Sequence, residues 1–243
     1  MRILYSLPVL AMVAACGSGN ASESSSAPSG VEGSRSFAAT GFDKVALRGA
    51  DNVVVKVGPA ESVTARGDTA VLDRLKIEVV DGTLRIERRE RDGVLSWRKS
   101  DKPVLVTVTL PRLVGAVVAG SGDMDVDRAQ ATSFAASVAG SGNLRIVDLT
   151  ADATALNIAG SGDATIGGRG QSIDISLAGS GDADMGGYKA AHARISLAGS
   201  GDVKAGVDGT ADVSLIGSGD VEIVGKAACT VSKLGSGAVR CGG

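Results

Sequence analysis

At 243 residues with a hydrophobic fraction of 44%, the chain is long enough for one or two domains around a real core, yet aromatics supply only 2% of it. A core so poor in large side chains has to be a thin layer of Val, Ile, Leu and Ala, as narrow β-solenoids allow. The formal charge of -2, from 25 Lys and Arg against 27 Asp and Glu, leaves no electrostatic case for nucleic acid.

The chain opens with Arg2, an apolar run over residues 7–13, then Ala14 and Ala15 before Cys16. A short charged, apolar and small-residue series is a secretory signal and too short to span a bilayer. Val13-Ala14-Ala15-Cys16 looks like a bacterial lipobox, which implies cleavage after residue 15 and a lipid on the Cys16 sulfur. Gly17 follows instead of the Asp associated with inner-membrane retention, so the expected address is the outer membrane. Residues 16–36 are rich in Gly, Ser and Ala with almost nothing to bury, and form the expected flexible tether.

Residues 37–115 carry strand-like runs at 45–48, 52–57, 63–66, 75–80, 83–87 and 104–110, with Asp81-Gly82 as a hairpin turn between two of them. An antiparallel or mixed β-section that caps a solenoid is expected here, since an uncovered end invites edge pairing. Within it, residues 88–102 hold the chain's one Trp, Trp97, beside Arg98 and Lys99. Two readings stand: a loop whose aromatic and cations touch a partner, or a solvated hairpin tip with Trp97 against the sheet.

Residues 116–243 are a repeat. Gly-Ser-Gly starts at Gly120, Gly140, Gly160, Gly179, Gly199, Gly217 and Gly235, giving spacings of 20, 20, 19, 20, 18 and 18. Such regularity marks a stacked solenoid, in which one coil cannot bury its apolar face alone. Two residues before each first Gly stand Val118, Val138, Ile158, Leu177, Leu197, Leu215 and Lys233, and four before it Ala116, Ala136, Leu156, Ile175, Ile195, Val213 and Val231. Between them stand Val117, Ser137, Asn157, Ser176, Ser196, Ser214 and Ser232, polar in all but the first copy, the period-two pattern of a strand with one buried face. The positions four and six after the Gly behave alike, so strands flank each corner, and coils are expected to stack in parallel at about 4.8 Å.

After each corner come Asp123, Asn143, Asp163, Asp182, Asp202 and Asp220, then Ala238. Carboxylates in register suggest calcium, but calcium-binding β-rolls repeat in nonapeptides, and Asn143 serves as a turn residue without charge. The favoured assignment is a turn ladder with no metal, whose repulsion of about 1 kcal/mol per neighbour in water is offset by turn bonds. Seven identical Ser residues and one His, His192, do not form a catalytic triad. His192 is expected on a coil surface. Cys229 and Cys241 lie six residues either side of Gly235, in inward columns of the last coil: a disulfide or two buried thiols.

The tandem GSG[DN] copies, the lipoprotein-like start and the β-rich amino-terminal half together resemble the bacterial family called putative auto-transporter adhesin, head GIN domain, over residues 37–243. The resemblance implies an all-β, right-handed, pectin-lyase-like parallel β-helix, a role in adhesion, no catalytic residues and no cofactor. Ala238 and Lys233 depart from the repeat in the last coil, as a terminal cap would. The expectation is a non-enzymatic, lipid-anchored module of the cell envelope that binds a glycan or protein through its rows of side chains. The competing expectation is a carbohydrate-active lyase or hydrolase, which would want acids clustered out of register with the repeat.

Overall fold

The computed structural model describes residues 29–89 and 102–242. Among the described residues strand accounts for 72% and helix for 2%, and their sixteen strands belong to one continuous sheet. Five long strands follow the repeat: β9 (Met124–Gly140), β10 (Leu144–Gly160), β11 (Ala164–Gly179), β12 (Ala183–Gly199) and β13 (Val203–Gly217). Each begins after the Asp or Asn of one corner and ends on the first Gly of the next, so one bent strand makes one coil. Successive coils pair in parallel with corner over corner, Gly140 on Gly160 on Gly179 on Gly199 on Gly217. The 18- and 19-residue spacings are absorbed by register shifts at the mid-coil bend, such as that between Thr165 and Gly168, and the corners stay aligned.

The inward columns are buried from the first repeat coil to the sixth corner, Ile146, Leu156 and Ile175 among them. Beyond it lie β14 (Val221–Val224), β15 (Ala228–Gly235) and β16 (Val239–Cys241). The expected inward pattern holds in β14, where Val221 and Ile223 are buried, and fails in β15 and β16. Val231 is 46% exposed and Lys233 and Cys241 face solvent, because no further coil covers β15. Lys233 turns its Nζ to the Gly237 carbonyl, 2.8 Å away. A charge at an inward position of an end strand discourages pairing with another chain.

The amino-terminal half both caps and continues the stack, in an order unlike its sequence order. β2 (Lys44–Gly49) and β3 (Asn52–Val57) form a coil lying directly on β8 (Gly115–Gly120) and β9. Above it lies a coil made by β6 (Thr83–Arg88) and β7 (Leu105–Leu110). Antiparallel strands then close the end: β5 (Leu75–Val80) on β6, and β4 (Ser62–Asp68) on β7, with β1 (Glu32–Phe37) outermost. The short helix α1 (Thr69–Leu72) connects β4 to β5 and buries Val71 and Leu72. The turn at Asp81 and Gly82, φ 51 and 70, is the left-handed pair that a two-residue hairpin requires.

Strand β1 corrects the expected extent of the tether, since residues 32–36 form a strand. Composition predicted a disordered segment, but β4 offers an open edge, and Asp68 takes the backbone N–H groups of Ser29 and Gly30 at 3.0 and 2.7 Å. Those bonds, the Ser29 amide first, hold the Asp68 carboxyl down at about 2, and the same side chain caps α1 at Ala70.

Candidate binding surface

The corner shows why the repeat is written as it is. The Gly140 carbonyl of one coil accepts both Ser161 N–H and Gly162 N–H of the next, at 2.8 and 3.0 Å. Asn143 Oδ1 accepts the Asp163 N–H at 3.1 Å, and Asp163 Oδ1 accepts the Asp182 N–H at 2.8 Å. The Leu144 N–H donates back to the Asp163 carbonyl at 2.9 Å. The corner amides are thus satisfied from coil to coil. Gly160 has φ +126, and a Cβ on it would lie 2.4 Å from the Gly140 oxygen; one on Gly162 would lie 2.1 Å from the Gly142 oxygen. Only glycine fits both places.

The Asp and Asn ladder therefore runs between coils. Each side chain from Asp123 through Asp220 caps the N–H of the equivalent residue one coil on, ending at Ala238, which has no successor to cap. One oxygen of each, Oδ1, accepts a backbone amide, and among the described residues no group of three or more His, Cys, Asp or Glu is placed to hold a metal ion. The corner Ser side chains point to solvent, and among the described residues only Ser218 and Ser236 bond each other, at 3.1 Å.

One corner escaped the sequence reading. Gly49-Ala50-Asp51-Asn52 pairs residue for residue with Gly120-Ser121-Gly122-Asp123: the Gly49 carbonyl takes the Ser121 and Gly122 amides, and Asn52 Oδ1 takes the Asp123 N–H. Asp51 stands where the second Gly belongs and is 1% exposed. Its carboxylate is clamped by both Arg88 Nε and an Arg88 terminal nitrogen, and accepts the Val104 N–H at 2.9 Å. Arg88 ends β6 and Val104 stands just before β7, on either side of the segment 89–103. Trp97, Arg98 and Lys99 in it lie outside the described residues, as does Cys16.

Away from the corner, a groove of about 520 Å³ runs along the stack beside the mid-coil bend. One wall stacks Ser172, His192 and Thr210; the other stacks Asp174, Arg194 and Asp212. His192 is exposed, and its Nδ1 meets Thr210 Oγ1 at 2.9 Å. Beneath the groove the aliphatic interior is interrupted by Thr154, whose hydroxyl meets that of Tyr188 at 3.1 Å, and the Tyr188 hydroxyl donates to the Ala151 carbonyl. Burial pushes the Tyr188 phenol above its ordinary value. Tyr188 fits because Gly170 leaves room: a Cβ there would lie 2.4 Å from the phenol oxygen. The run of glycines at 167, 168 and 170 was the available signal.

Cys229 and Cys241 are brought together across the open end, Cα atoms 6.4 Å apart, within the span of bridged cysteines. On the far side of the corner, the outward row pairs Lys204 with Glu222 at 3.2 Å.

No curated protein matches the chain. Its fold is similar to that of a putative adhesin from Bacteroides fragilis, with a TM-score of 0.78 at 21% identity over 88% of this chain and 98% of that one. A putative lipid binding protein from Parabacteroides distasonis gives a TM-score of 0.67 at 19% identity, over 88% and 97% of the two chains. A putative adhesin from Parabacteroides merdae gives 0.67 at 15%, over 87% and 96%. The sequence itself matches a family over residues 41–227, which takes in the hidden first corner and six of the seven GSG copies. The chain belongs to the family described as putative auto-transporter adhesin, head GIN domain.

Proposed function

We propose that the chain is a non-enzymatic binding module of the cell envelope, anchored to the outer membrane through a lipid on Cys16 and engaging an envelope glycan or protein. The observation that carries this reading is the groove. Exposed polar and charged side chains from successive coils are held there in register on a hydrogen-bonded scaffold, the arrangement that recognition without chemistry requires. The His192 imidazole is paired with a threonine one coil on, and among the described residues no carboxylate hydrogen-bonds it. Asp174 and Asp212 are both exposed with an arginine between them, the reverse of the apolar or acid-paired setting that a glycosidic general acid demands. Adhesin-like names among the structural neighbours agree with this reading.

The test uses full-length protein expressed with its own leader. Membrane fractionation should find it with the outer membrane, and Cys16→Ala should release it. Detergent-solubilised protein should be retained on immobilised envelope material without releasing sugar products. Turnover that disappears on replacing a single acid would defeat the proposal.

A further inference from the structure

Repeat proteins display their own control: a position whose residue changes from coil to coil is not dictated by the stack. Five residues before the corner Gly, the outward row reads Ala135, Ala155, Asp174, Arg194, Asp212. Seven before it, the row reads Ser133, Ala153, Ser172, His192, Thr210. Alanine and serine meet the demands of the architecture in the first two coils, because Ala135 pairs with Ala155 in the same register as Asp174 with Arg194. The charges and the imidazole enter in the next three coils, which line the groove together with Ser133, Ala153 and Ala155. Between the walls lie Thr154, Ile173 and Ala193, whose side chains are buried in the core, so the floor is mainly strand backbone. The two outward rows standing on either side of that backbone make the recess. Side chains that a fold does not need, gathered in a recess, are the expected signature of a site.

We propose that this groove binds an extended, uncharged oligosaccharide lying along the solenoid axis; the proposal rests on the binding-module reading and names its ligand. The chemistry of the walls selects the class. Ser172, Thr210 and His192 offer hydroxyl and imidazole groups, while Asp174 and Asp212 offer acceptors for sugar hydroxyls. Arg194 stands between the two carboxylates by register yet forms no ion pair among the described residues, so its donors remain available to ring and hydroxyl oxygens. Coils rise by about 4.8 Å, close to the length of one pyranose in an extended chain, so successive sugars would meet successive coils. Two carboxylates against one guanidinium disfavour a polyanion such as a uronic acid polymer. A peptide would want a free strand edge or apolar anchor pockets, and here the backbone bonds are consumed by stacking. With no aromatic platform on the walls, each site binds weakly. Many anchored copies on one surface would supply the avidity.

The experiment presents detergent-solubilised full-length protein to an array of immobilised neutral glucan, mannan, xylan and N-acetylglucosamine oligosaccharides, with uronic oligomers alongside. Retention on at least one neutral class is expected, weakened at least ten-fold by Arg194→Ala and by the pair Asp174→Asn with Asp212→Asn. Lys204→Ala, beyond the corner, should bind as the parent does. All these positions are exposed, and melting curves will verify that each variant is folded. No retention on any neutral oligosaccharide, or equal retention by the groove variants, overturns the proposal. Binding to envelope material that survives periodate oxidation but is lost on proteolysis overturns it in favour of a protein partner, and leaves the binding-module reading intact. Absence of binding to the array and to envelope material alike overturns both. Release of cleaved sugar overturns only the non-enzymatic part.

Discussion

Each residue of the GSGD corner has a separate physical task, and substitutions there should separate cleanly. Gly160→Ala places a Cβ 2.4 Å from a carbonyl oxygen at φ +126, so it should cost about 3 kcal/mol or more in chemical denaturation. Ser161→Ala, at a solvent-facing hydroxyl, should stay within about 0.5 kcal/mol of the parent. Asp163→Ala removes the acceptor of the Asp182 N–H and should cost about 1 kcal/mol, whereas Asp163→Asn should be nearly neutral. Asn143 already performs this task without charge. If Asp163→Asn destabilised as much as Asp163→Ala, the ladder would depend on charge and the coil-to-coil bond would not explain it.

The two ends of the stack are closed by different devices, and each predicts a local loss of order. At the amino-terminal end, Asp68 ties residues 29 and 30 to the start of α1 with its carboxyl held at about 2 against 3.8 for the free group. A depressed carboxyl contributes stability above pH 4 that is lost as pH falls towards 2. Amide exchange across β1 should therefore accelerate between those values, and Asp68→Asn should abolish that pH dependence. At the other end, the Cys229 and Cys241 bridge closes a short loop worth about 2–3 kcal/mol. Reduction should expose the amides of β15 and β16 to exchange while β9 to β12 stay protected. Protection of β15 unchanged by reductant would show that Lys233 and strand pairing alone hold it.

At the scale of the whole molecule, the repeat coils were legible in the sequence because their pattern is local and periodic: apolar columns set which face is buried, and Gly set the corners. Strands of the amino-terminal half were legible one by one, for the same reason. Their arrangement was not. Parallel pairing is chosen by non-local packing, and no local pattern announces that β2 and β3 slip between a coil made by β6 and β7 and the first repeat coil. The hidden corner at Gly49 escaped because Asp51 replaces the second Gly, which is tolerable only where Arg88 and the Val104 amide meet its carboxylate. The groove escaped because the register shifts near Thr165 and Met185 blur the columns at the bend that forms it. The charges at 174, 194 and 212 were the available signal, and nothing in the periodic pattern set them apart.

Ladder, groove and end caps all depend on corners superposed coil over coil. Spin labels at Ser121 and Ser236, exposed serines six corners apart, measure this directly by dipolar electron resonance on the folded chain. Six coil steps predict one narrow distribution centred near about 29 Å between the backbones. A broad distribution, or one centred well beyond that length, would contradict the stacked architecture and the groove built on it.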